Sequence, residues 1–340
     1  MSNPMQNFIG IDVSKPWFDA SLLTIKSGQK LPLKTEQFEN STKGIKSFEK
    51  WLKASQVSFD KKTLMVIENT GIYHRHLWTF STEKNIPLYI GNAADIKWSF
   101  GIARGKNDKI DSKRLCDYAS KHYETIKPTP HLDKKLLLLK DLMTSRSKLI
   151  AQKNAIKTHL KELKEVSDNA VNKIMQSAHK TALDGLDKSI KAIESEMTRI
   201  VQDTPSILAN YNLLKTVPGI GHIIAIYLIC CTYNFSIKIS GKQLACYAGV
   251  VPFEHSSGIS IKGRHRVHRM ANKDLKKLLH LAALSVIRYC PEFKAYYERK
   301  KAEGKHSMSV LNAIRNKIVL RVVAVVNSRK PYVDKTLLAA

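Results

Sequence analysis

Short apolar segments in residues 7–121 follow one another in an order that few folds can accommodate. Three strand-like segments come first, and two more follow, each after a segment whose apolar residues have helical spacing. The strands are predicted at 8–13, 20–25, 33–39, 63–68 and 86–90. The helices are predicted after 41–44 and at 74–84, 95–100 and 108–121. This order predicts a mixed α/β domain and excludes an all-helical or all-β one.

Residues 1–128 are predicted to form an RNase H-like domain, because that fold has a mixed sheet with helices around it and the same order of elements. In such a sheet the first strand lies beside the strand that follows the first helix. Pro128, Thr129 and Pro130 mark the end of the domain, since proline interrupts both helices and strands.

A second part is predicted at 129–210. Between 132 and 207 it holds almost no glycine or proline and is rich in lysine, glutamate and leucine. Its apolar residues recur at helical spacing, which predicts two long amphipathic helices in either a helical hairpin or a coiled coil. The sequence leaves open whether this connector is a spacer or a dimerisation element.

The third part, 211–332, is predicted to be mostly helical. The string Val-Pro-Gly-Ile-Gly at 217–221 precedes an apolar segment. This pattern is typical of a helix–hairpin–helix, in which Gly219 and Gly221 allow backbone N–H groups to meet a phosphate. The alternative is an ordinary turn between two core helices. Residues 249–272 are predicted to be loop-rich, and the Ser-Ser-Gly string at 256–258 has the composition of a turn.

The charge of the chain points to a polyanionic partner. Its 340 residues include 56 Lys and Arg against 29 Asp and Glu, a net charge of +27, and such an excess is typical of nucleic-acid-binding proteins. An apolar content of 43% excludes a disordered chain. The cysteines show neither metal-ligand nor disulfide spacing, and no signal peptide or membrane span is recognisable. We therefore expect a cytoplasmic protein.

One segment, from 262 to 277, concentrates the positive charge. Seven cationic side chains accompany one acid there, Asp274. We predict that the seven contact phosphates and are not merely a solvated face. They are Lys262, Arg264, Arg266, Arg269, Lys273, Lys276 and Lys277.

Four acids in the first domain are candidate metal ligands. Asp12 and Glu68 end two strands that we expect to be neighbours, so their carboxylates should lie side by side at one sheet edge. Asp108 and Asp111 would share one face of a helix. If that helix packs against the strand ends, four carboxylates converge and require a cation, and hard oxygen ligands select Mg²⁺ or Mn²⁺. Taken singly, each acid also fits a capping or turn role.

Three strings around these acids carry a family resemblance. They are Gly-Ile-Asp-Val-Ser-Lys at 10–15, Glu-Asn-Thr-Gly at 68–71 and Gly-Lys-Asn-Asp-Lys-Ile-Asp-Ser-Lys-Arg-Leu at 105–115. Through them, residues 8–125 resemble the DEDD transposase domain of the insertion-sequence family numbered 110 and 1111, which includes Piv-type DNA invertases. The resemblance implies a RuvC-like catalytic domain whose metal ligands are Asp12, Glu68, Asp108 and Asp111.

The block at 213–300 resembles the C-terminal transposase domain of the same family. That resemblance implies a nucleophilic serine followed by glycine; Ser257 is the better match and Ser256 the alternative. A serine that attacks a phosphodiester forms a covalent phosphoserine and leaves a free hydroxyl, and it needs activation by a base or a metal. His255 is either that base or a solvated loop side chain.

The family resemblance also implies the partners and the activity. It implies a DNA transposase or recombinase of a prokaryotic cell, guided by a structured noncoding (bridge) RNA. Because strand exchange needs several active sites, we expect a dimer or tetramer. The alternatives are a site-specific DNA invertase, a RuvC-like junction nuclease that uses metal-activated water, and a nucleic-acid-binding protein whose acids are idle. A sugar-kinase-like or actin-like ATPase would need a second glycine-rich phosphate loop, which the sequence lacks.

Overall fold

A computed structural model describes residues 7–69, 71–99, 108–257, 261–267 and 271–333. The chain divides into two compact units, Met1–Leu132 and Asp133–Ala340. The finer division into three domains, at 128/129 and 210/211, stays a prediction.

The first unit is built on a six-stranded mixed sheet. Its strands are β1 (Asn7–Val13), β2 (Trp17–Lys26), β3 (Gln29–Lys30), β4 (Lys34–Glu39), β5 (Thr63–Glu68) and β6 (Leu88–Gly91). Its helices are α1 (Thr42–Ala54), α2 (Arg75–Glu83), α3 (Ala93–Ser99) and α4 (Asp108–His122). The predicted α/β class and the predicted succession of elements are confirmed, with the short β3 as an addition.

The strand order is β3-β2-β1-β5-β6, and β4 also pairs with β2. β1 is antiparallel to β2 and parallel to β5, and β5 is parallel to β6. The expected pairing of the first strand with the strand after the first helix is therefore present, although the two strands lie far apart in sequence.

Helices cover both faces of the sheet, which explains why the central strands are apolar almost throughout. On one face, Phe18 of β2 is in edge-to-face contact with Phe48 of α1, at 5.4 Å between ring centroids. On the other face, Phe8 and Val66 share a buried cluster with Leu115 of α4.

A glycine allows α4 to lie directly on β1. A Cβ at Gly10 would stand 2.0 Å from the backbone nitrogen of Cys116 and 2.3 Å from the carbonyl oxygen of Ser112. Two hydrogen bonds hold the helix there: the hydroxyls of Ser112 and Ser21 are 2.9 Å apart, and the Cys116 thiol donates to the Phe8 carbonyl at 3.1 Å. No residue with a side chain could replace Gly10 without moving α4.

Two long helices begin the second unit, α5 (Lys134–Val166) and α6 (Asn169–Gln202). A two-residue connection, 167–168, joins them, and ion pairs link them side by side. Arg146 pairs with Glu194 at 2.6 Å, and Lys153 pairs with Asp187. The predicted long helices are present, and within one chain they form a helical hairpin.

The remaining helices pack with the base of this hairpin. They are α7 (Pro205–Lys215), α8 (His222–Cys231), α9 (Gly241–Tyr247), α10 (Lys273–Tyr289), α11 (Pro291–Ala302) and α12 (Ser307–Ser328). Their buried residues form one core with Leu139 and Met143 of α5 and with Met197 of α6. Among the described helices, none combines the length and the apolar character that crossing a membrane requires.

The predicted loop at 249–272 is wrong in part. Strands β7 (Phe253–Ser257) and β8 (Ile261–Arg266) pair as an antiparallel hairpin. Ser256 and Ser257 were expected in a turn but lie in β7. No strand pattern marks this segment in the sequence, because polar and charged residues occupy both sets of alternating positions and no apolar face shows a period of two.

Candidate functional site

Asp12 and Glu68 lie side by side at the carboxyl ends of two parallel strands. β1 and β5 are paired up to Ile11 opposite Ile67. Asp12 and Glu68 are the next residue on each strand, so they occupy adjacent positions at this edge of the sheet.

Both acids belong to the sheet face that α4 covers. Because side chains alternate along a strand, Asp12 shares a face with Gly10, which α4 contacts directly. Glu68 shares a face with Val66, which packs in the cluster that includes Leu115 of α4. Both acids are half-buried. The sheet edge is therefore open enough for a ligand to reach them.

Helix α4 runs antiparallel to β1. Its Cys116 lies at Phe8, near the start of the strand, and its Ser112 lies at Gly10, further along. The first turn of α4 is consequently carried toward the carboxyl end of β1.

This direction brings the second pair of acids toward the first. Asp108 begins α4 and precedes Ser112 by about 6 Å along the helix axis. Asp12 lies about 7 Å beyond Gly10 along the strand. The direction of α4 therefore carries the backbone of Asp108 and Asp111 toward the sheet edge at which Asp12 lies. The convergence of the four carboxylates stays a prediction.

The ligand set itself stays a prediction. The Asp111 carboxylate accepts a hydrogen bond from the Arg114 guanidinium at 2.8 Å, and both side chains are partly exposed. The side chain of Asp108 lies outside the described part of the molecule. Among the side chains that the structure does describe, no three of the His, Cys, Asp and Glu residues are grouped closely enough to hold a metal ion.

A fifth acid at this edge, Asp19, was missed in the sequence. It lies directly opposite Asp12 in the β1–β2 pair and opposite Gln37 in the β2–β4 pair, and it is only 1% exposed. Because the second strand was predicted to begin at residue 20, Asp19 was left outside it. A signal did exist, since Asp19 stands among apolar residues at 17–26 and a carboxylate is rarely buried without a partner.

The two candidate serines end strand β7. Ser256 lies opposite Lys262, and Ser257 lies opposite Ile261. The backbone of the hairpin is described there, whereas Gly258 and Arg269 lie outside the described residues. The identity of the nucleophile stays a prediction.

A hydrogen-bonded cluster fixes the base of this hairpin. Asn272 is the N-cap of α10, and its side-chain amide donates to the Tyr247 hydroxyl at 2.8 Å. Its side-chain oxygen accepts from the Tyr227 hydroxyl at 2.9 Å. Burial raises the pKa of Tyr227 and of Tyr247, so both stay protonated and can donate. This cluster, invisible in the sequence, anchors the segment that carries the serines and the cationic run.

The two glycines of the turn between α7 and α8 have different structural roles. Gly219 has a left-handed φ of +84°, and an added Cβ would stand 2.7 Å from Cγ1 of Val286. Gly221 is the N-cap of α8, and a Cβ there would meet nothing within 4 Å. Gly219 is thus required by the turn, while Gly221 leaves the start of α8 open. Beside it runs a groove lined in part by Lys215, Pro218, Leu281 and Ser285.

The cationic run continues from β8 into the first turn of α10. Lys262, Arg264 and Arg266 are residues of β8. Lys273 and Lys277 are exposed on α10, Lys276 is half-buried, and Lys277 lies 3.5 Å from Asp274. These α10 residues leave positive charge at the surface near the hairpin base.

Two family models match this chain. A DEDD transposase model of the IS110 type, described as "Transposase", matches residues 9–165. A second model, described as "Transposase IS116/IS110/IS902 family", matches residues 211–298. The first spans the sheet, α4 and α5, and the second spans the glycine turn, the serine hairpin and α10.

Individual proteins are also similar to this chain. The pilin gene-inverting protein of Moraxella lacunata is 29% identical over 98% of this chain and 99% of its own length. Its counterpart in Moraxella bovis is 28% identical over the same shares. A 43.6 kDa protein of insertion element IS110 from Streptomyces coelicolor is 29% identical over 39% of this chain and 35% of its own length. With both family models matched in order, the chain belongs to the IS110 family of DEDD transposases.

Proposed function

We propose that this transposase cuts and rejoins DNA with a divalent cation site in its first unit and a serine nucleophile in its second. Membership of the family implies DNA as the substrate and DNA cleavage and rejoining as the activity. The observation that supports the metal site best is the meeting of three backbone elements: the ends of β1 and β5 and the first turn of α4 all lie at one sheet edge. The strand order, with β1 between an antiparallel and a parallel neighbour, supports an RNase H-like, RuvC-like assignment of this unit.

The residues at this edge fit a hard cation. Asp12, Glu68, Asp108 and Asp111 would hold it, because carboxylate oxygens are the ligands that Mg²⁺ and Mn²⁺ prefer. Members of the family use divalent metal ions, and a bound ion supplies a Lewis acid for the phosphodiester. Close carboxylates repel one another without such a charge between them. The chain's own contribution is to fix these acids on two strands and one helix, so that little rearrangement is needed on binding.

The proposed cutting step uses Ser257, with Ser256 as the alternative. The serine oxygen forms a bond to phosphorus while the bond from phosphorus to one deoxyribose oxygen breaks. The serine hydroxyl proton passes to a base, and the released deoxyribose oxygen takes up a proton to become a free hydroxyl. Rejoining is the reverse step, in which the hydroxyl of another strand attacks the phosphoserine and restores the serine.

Two alternative activities use the same residues. A site-specific invertase would use the same chemistry on two sites in one DNA, and the similarity to the pilin gene-inverting protein over 98% of the chain favours it as the second candidate. A RuvC-like junction nuclease would use only the acids, with water as the nucleophile.

Nucleic-acid contact is proposed for the second unit. The cationic residues of β8 and α10 supply charge for phosphates. Gly221, open at the start of α8, would let a phosphate approach backbone N–H groups, which supports a helix–hairpin–helix. We further propose a structured guide RNA as partner, because a backbone-directed basic surface suits an A-form duplex.

A covalent adduct is the direct test. Wild type, Ser256→Ala and Ser257→Ala would be incubated with DNA carrying the ends of the element, co-purified RNA and Mg²⁺, and then run on a denaturing gel. We expect an adduct with wild type and Ser256→Ala, and none with Ser257→Ala or without Mg²⁺. Cleaved DNA without any adduct in the wild type would replace this proposal with the water-dependent nuclease.

A further inference from the structure

Asp19 is a buried carboxylate whose hydrogen bonding is incomplete. Its Oδ2 accepts a hydrogen bond from Nε2 of Gln37 at 3.1 Å. Its Oδ1 is buried and accepts no hydrogen bond from any residue that the structure describes. A carboxylate oxygen loses its hydrogen bonds to water when it is buried. Without a new partner in the protein it lowers the stability of the fold, so such an atom requires an explanation.

The surroundings of Asp19 narrow the choice of partner. Asp19 and Asp12 are directly opposed on antiparallel strands, so their side chains leave the same face of the sheet. The next polar side chains on that face are Ser21 and Ser112, whose hydroxyls form a hydrogen bond with each other. On the other side, Asp12 is followed by Glu68 on β5. The neighbour that Asp19 faces along the row is thus another acid, which, when ionised, has no proton to donate.

Asp19 therefore extends the line of acids across the sheet by one strand. Glu68, Asp12 and Asp19 occupy successive strands β5, β1 and β2, and Gln37 on β4 ends the row. The amide of Gln37 holds one oxygen of Asp19 and leaves the other directed away from that bond. A cation beside Asp12, or a water bound to such a cation, would satisfy this oxygen and also offset the repulsion between the two carboxylates.

We propose that Asp19 is an additional carboxylate of the cation site, held in place by Gln37 and supporting the ion that binds beside Asp12. It acts as a positioning residue, and it lies outside the four acids of the family pattern. This inference rests on the proposed metal site. It differs from a purely structural role in the unfolding temperature that it predicts for Asp19→Asn without metal.

The test measures Mn²⁺ binding to the full-length protein by titration calorimetry, together with thermal unfolding in EDTA. Asp19→Asn keeps the shape of the side chain and removes its charge. Gln37→Ala removes the anchoring amide at an exposed position and leaves the core untouched. Asp12→Asn reports the metal site itself. Asp117→Asn, on the outer part of α4 and paired with Lys121, is the matched control for the loss of one negative charge.

The expected result is a 10–100-fold weaker Mn²⁺ affinity for Asp19→Asn, the usual range for an outer-shell partner, and a smaller loss for Gln37→Ala. In EDTA, Asp19→Asn should unfold at the wild-type temperature or above it, because a buried charge without a counter-ion has been removed. Asp117→Asn should bind Mn²⁺ like the wild type.

Three outcomes would overturn the inference, and they can be distinguished. Wild-type affinity in Asp19→Asn, with affinity lost in Asp12→Asn, would reject the role of Asp19 and keep the metal site. Absence of Mn²⁺ binding in the wild type would reject both. A lower unfolding temperature of Asp19→Asn in EDTA with unchanged affinity would make Asp19 a structural residue only.

Discussion

At the scale of single residues, the half-buried His222 and its two hydrogen bonds make the stability of the protein depend on pH. Its ring lies at the start of α8, with Nε2 3.2 Å from the Thr198 hydroxyl and Nδ1 2.9 Å from the Tyr211 hydroxyl. Burial lowers the pKa of His222, and the nearby Lys215 lowers it further. The neutral ring is therefore the form that the folded protein prefers.

The sign of the pH effect follows from that shift. Below the ordinary histidine pKa of about 6.5, the unfolded chain takes up a proton that the folded His222 refuses, so acid favours unfolding. Glu194 opposes this shift and Arg146 adds to it. We expect the unfolding temperature to fall as pH drops from 7.5 to 5.5, and less steeply in His222→Gln.

The same argument applies to His280, whose pKa is lowered by burial and by Arg315. In a double variant of His222→Gln with His280→Gln, the unfolding temperature should depend on pH even less. Equal slopes in all three proteins would contradict this role of His222.

The structural position of a residue could be predicted from the sequence only where neighbouring residues in the chain indicate it. Asp12 and Glu68 end apolar strands, so their place at a sheet edge was predictable and their strands are indeed neighbours. Asp19 and Asn272 owe their surroundings to residues distant in sequence. Burial of Asp19 requires β4 and α4, and the bonds of Asn272 require α8 and α9. Only the apolar residues around Asp19 mark its position in the sequence, and no local pattern marks Asn272.

At the scale of elements, the contact between β1 and α4 determines where two of the four acids lie. Gly10→Ala would push a methyl group into the backbone at Ser112 and Cys116. We expect a loss of about 1–3 kcal/mol in the free energy of unfolding, as for other overpacked sites, and weaker Mn²⁺ binding because α4 must shift. Denaturant unfolding and Mn²⁺ titration would measure the two effects.

Gly185→Ala is the control for this experiment. It lies within α6, where a Cβ would meet nothing within 4 Å, so it should stabilise the protein by about 0.5–1 kcal/mol. If Gly10→Ala were as stable as the wild type and bound Mn²⁺ equally well, the close contact would have no part in placing the acids.

Elements with an apolar period were predictable, whereas β3 and the strands of the β7–β8 hairpin, which lack it, were not. The strands β1 and β5 and the helix α6 each show a clear apolar pattern. The β7–β8 hairpin has only two apolar residues, Phe253 and Ile261, among polar and charged ones, and its backbone pairing defines it. Because this segment lacks an apolar period, a loop was predicted there and the prediction was wrong. The candidate serines lie in this hairpin.

At the scale of the whole molecule, the tip of the helical hairpin offers an apolar surface for self-association. Val166 is 83% exposed, Ile174 66% and Val171 42%. Exposed apolar groups of this kind favour a protein contact. We expect a dimer or tetramer by light scattering, and a smaller assembly for Val166→Ser with Ile174→Glu at an unchanged unfolding temperature. An unchanged mass would remove the tip from the oligomer interface.

The net charge of +27 predicts a steep salt dependence of nucleic-acid binding. Affinity for duplex DNA should fall linearly on a log–log plot against salt, because bound phosphates release counterions. Lys273→Gln should reduce that slope by about 1. Lys300, which pairs with Glu303 at 2.6 Å on α11, is the matched control, and Lys300→Gln should keep the slope. A flat salt response of the wild type would contradict binding through phosphates.

The position of a bound divalent ion tests the proposed catalytic site most directly. Crystals of the full-length protein soaked in Mn²⁺ would be measured at the manganese absorption edge to obtain an anomalous difference map. We predict a peak at the carboxyl ends of β1 and β5, within about 2.0–2.6 Å of carboxylate oxygens from Asp12, Glu68 and the first turn of α4, and its loss in Asp12→Asn. A saturating soak that gave no peak there, or a peak only elsewhere, would contradict the metal site.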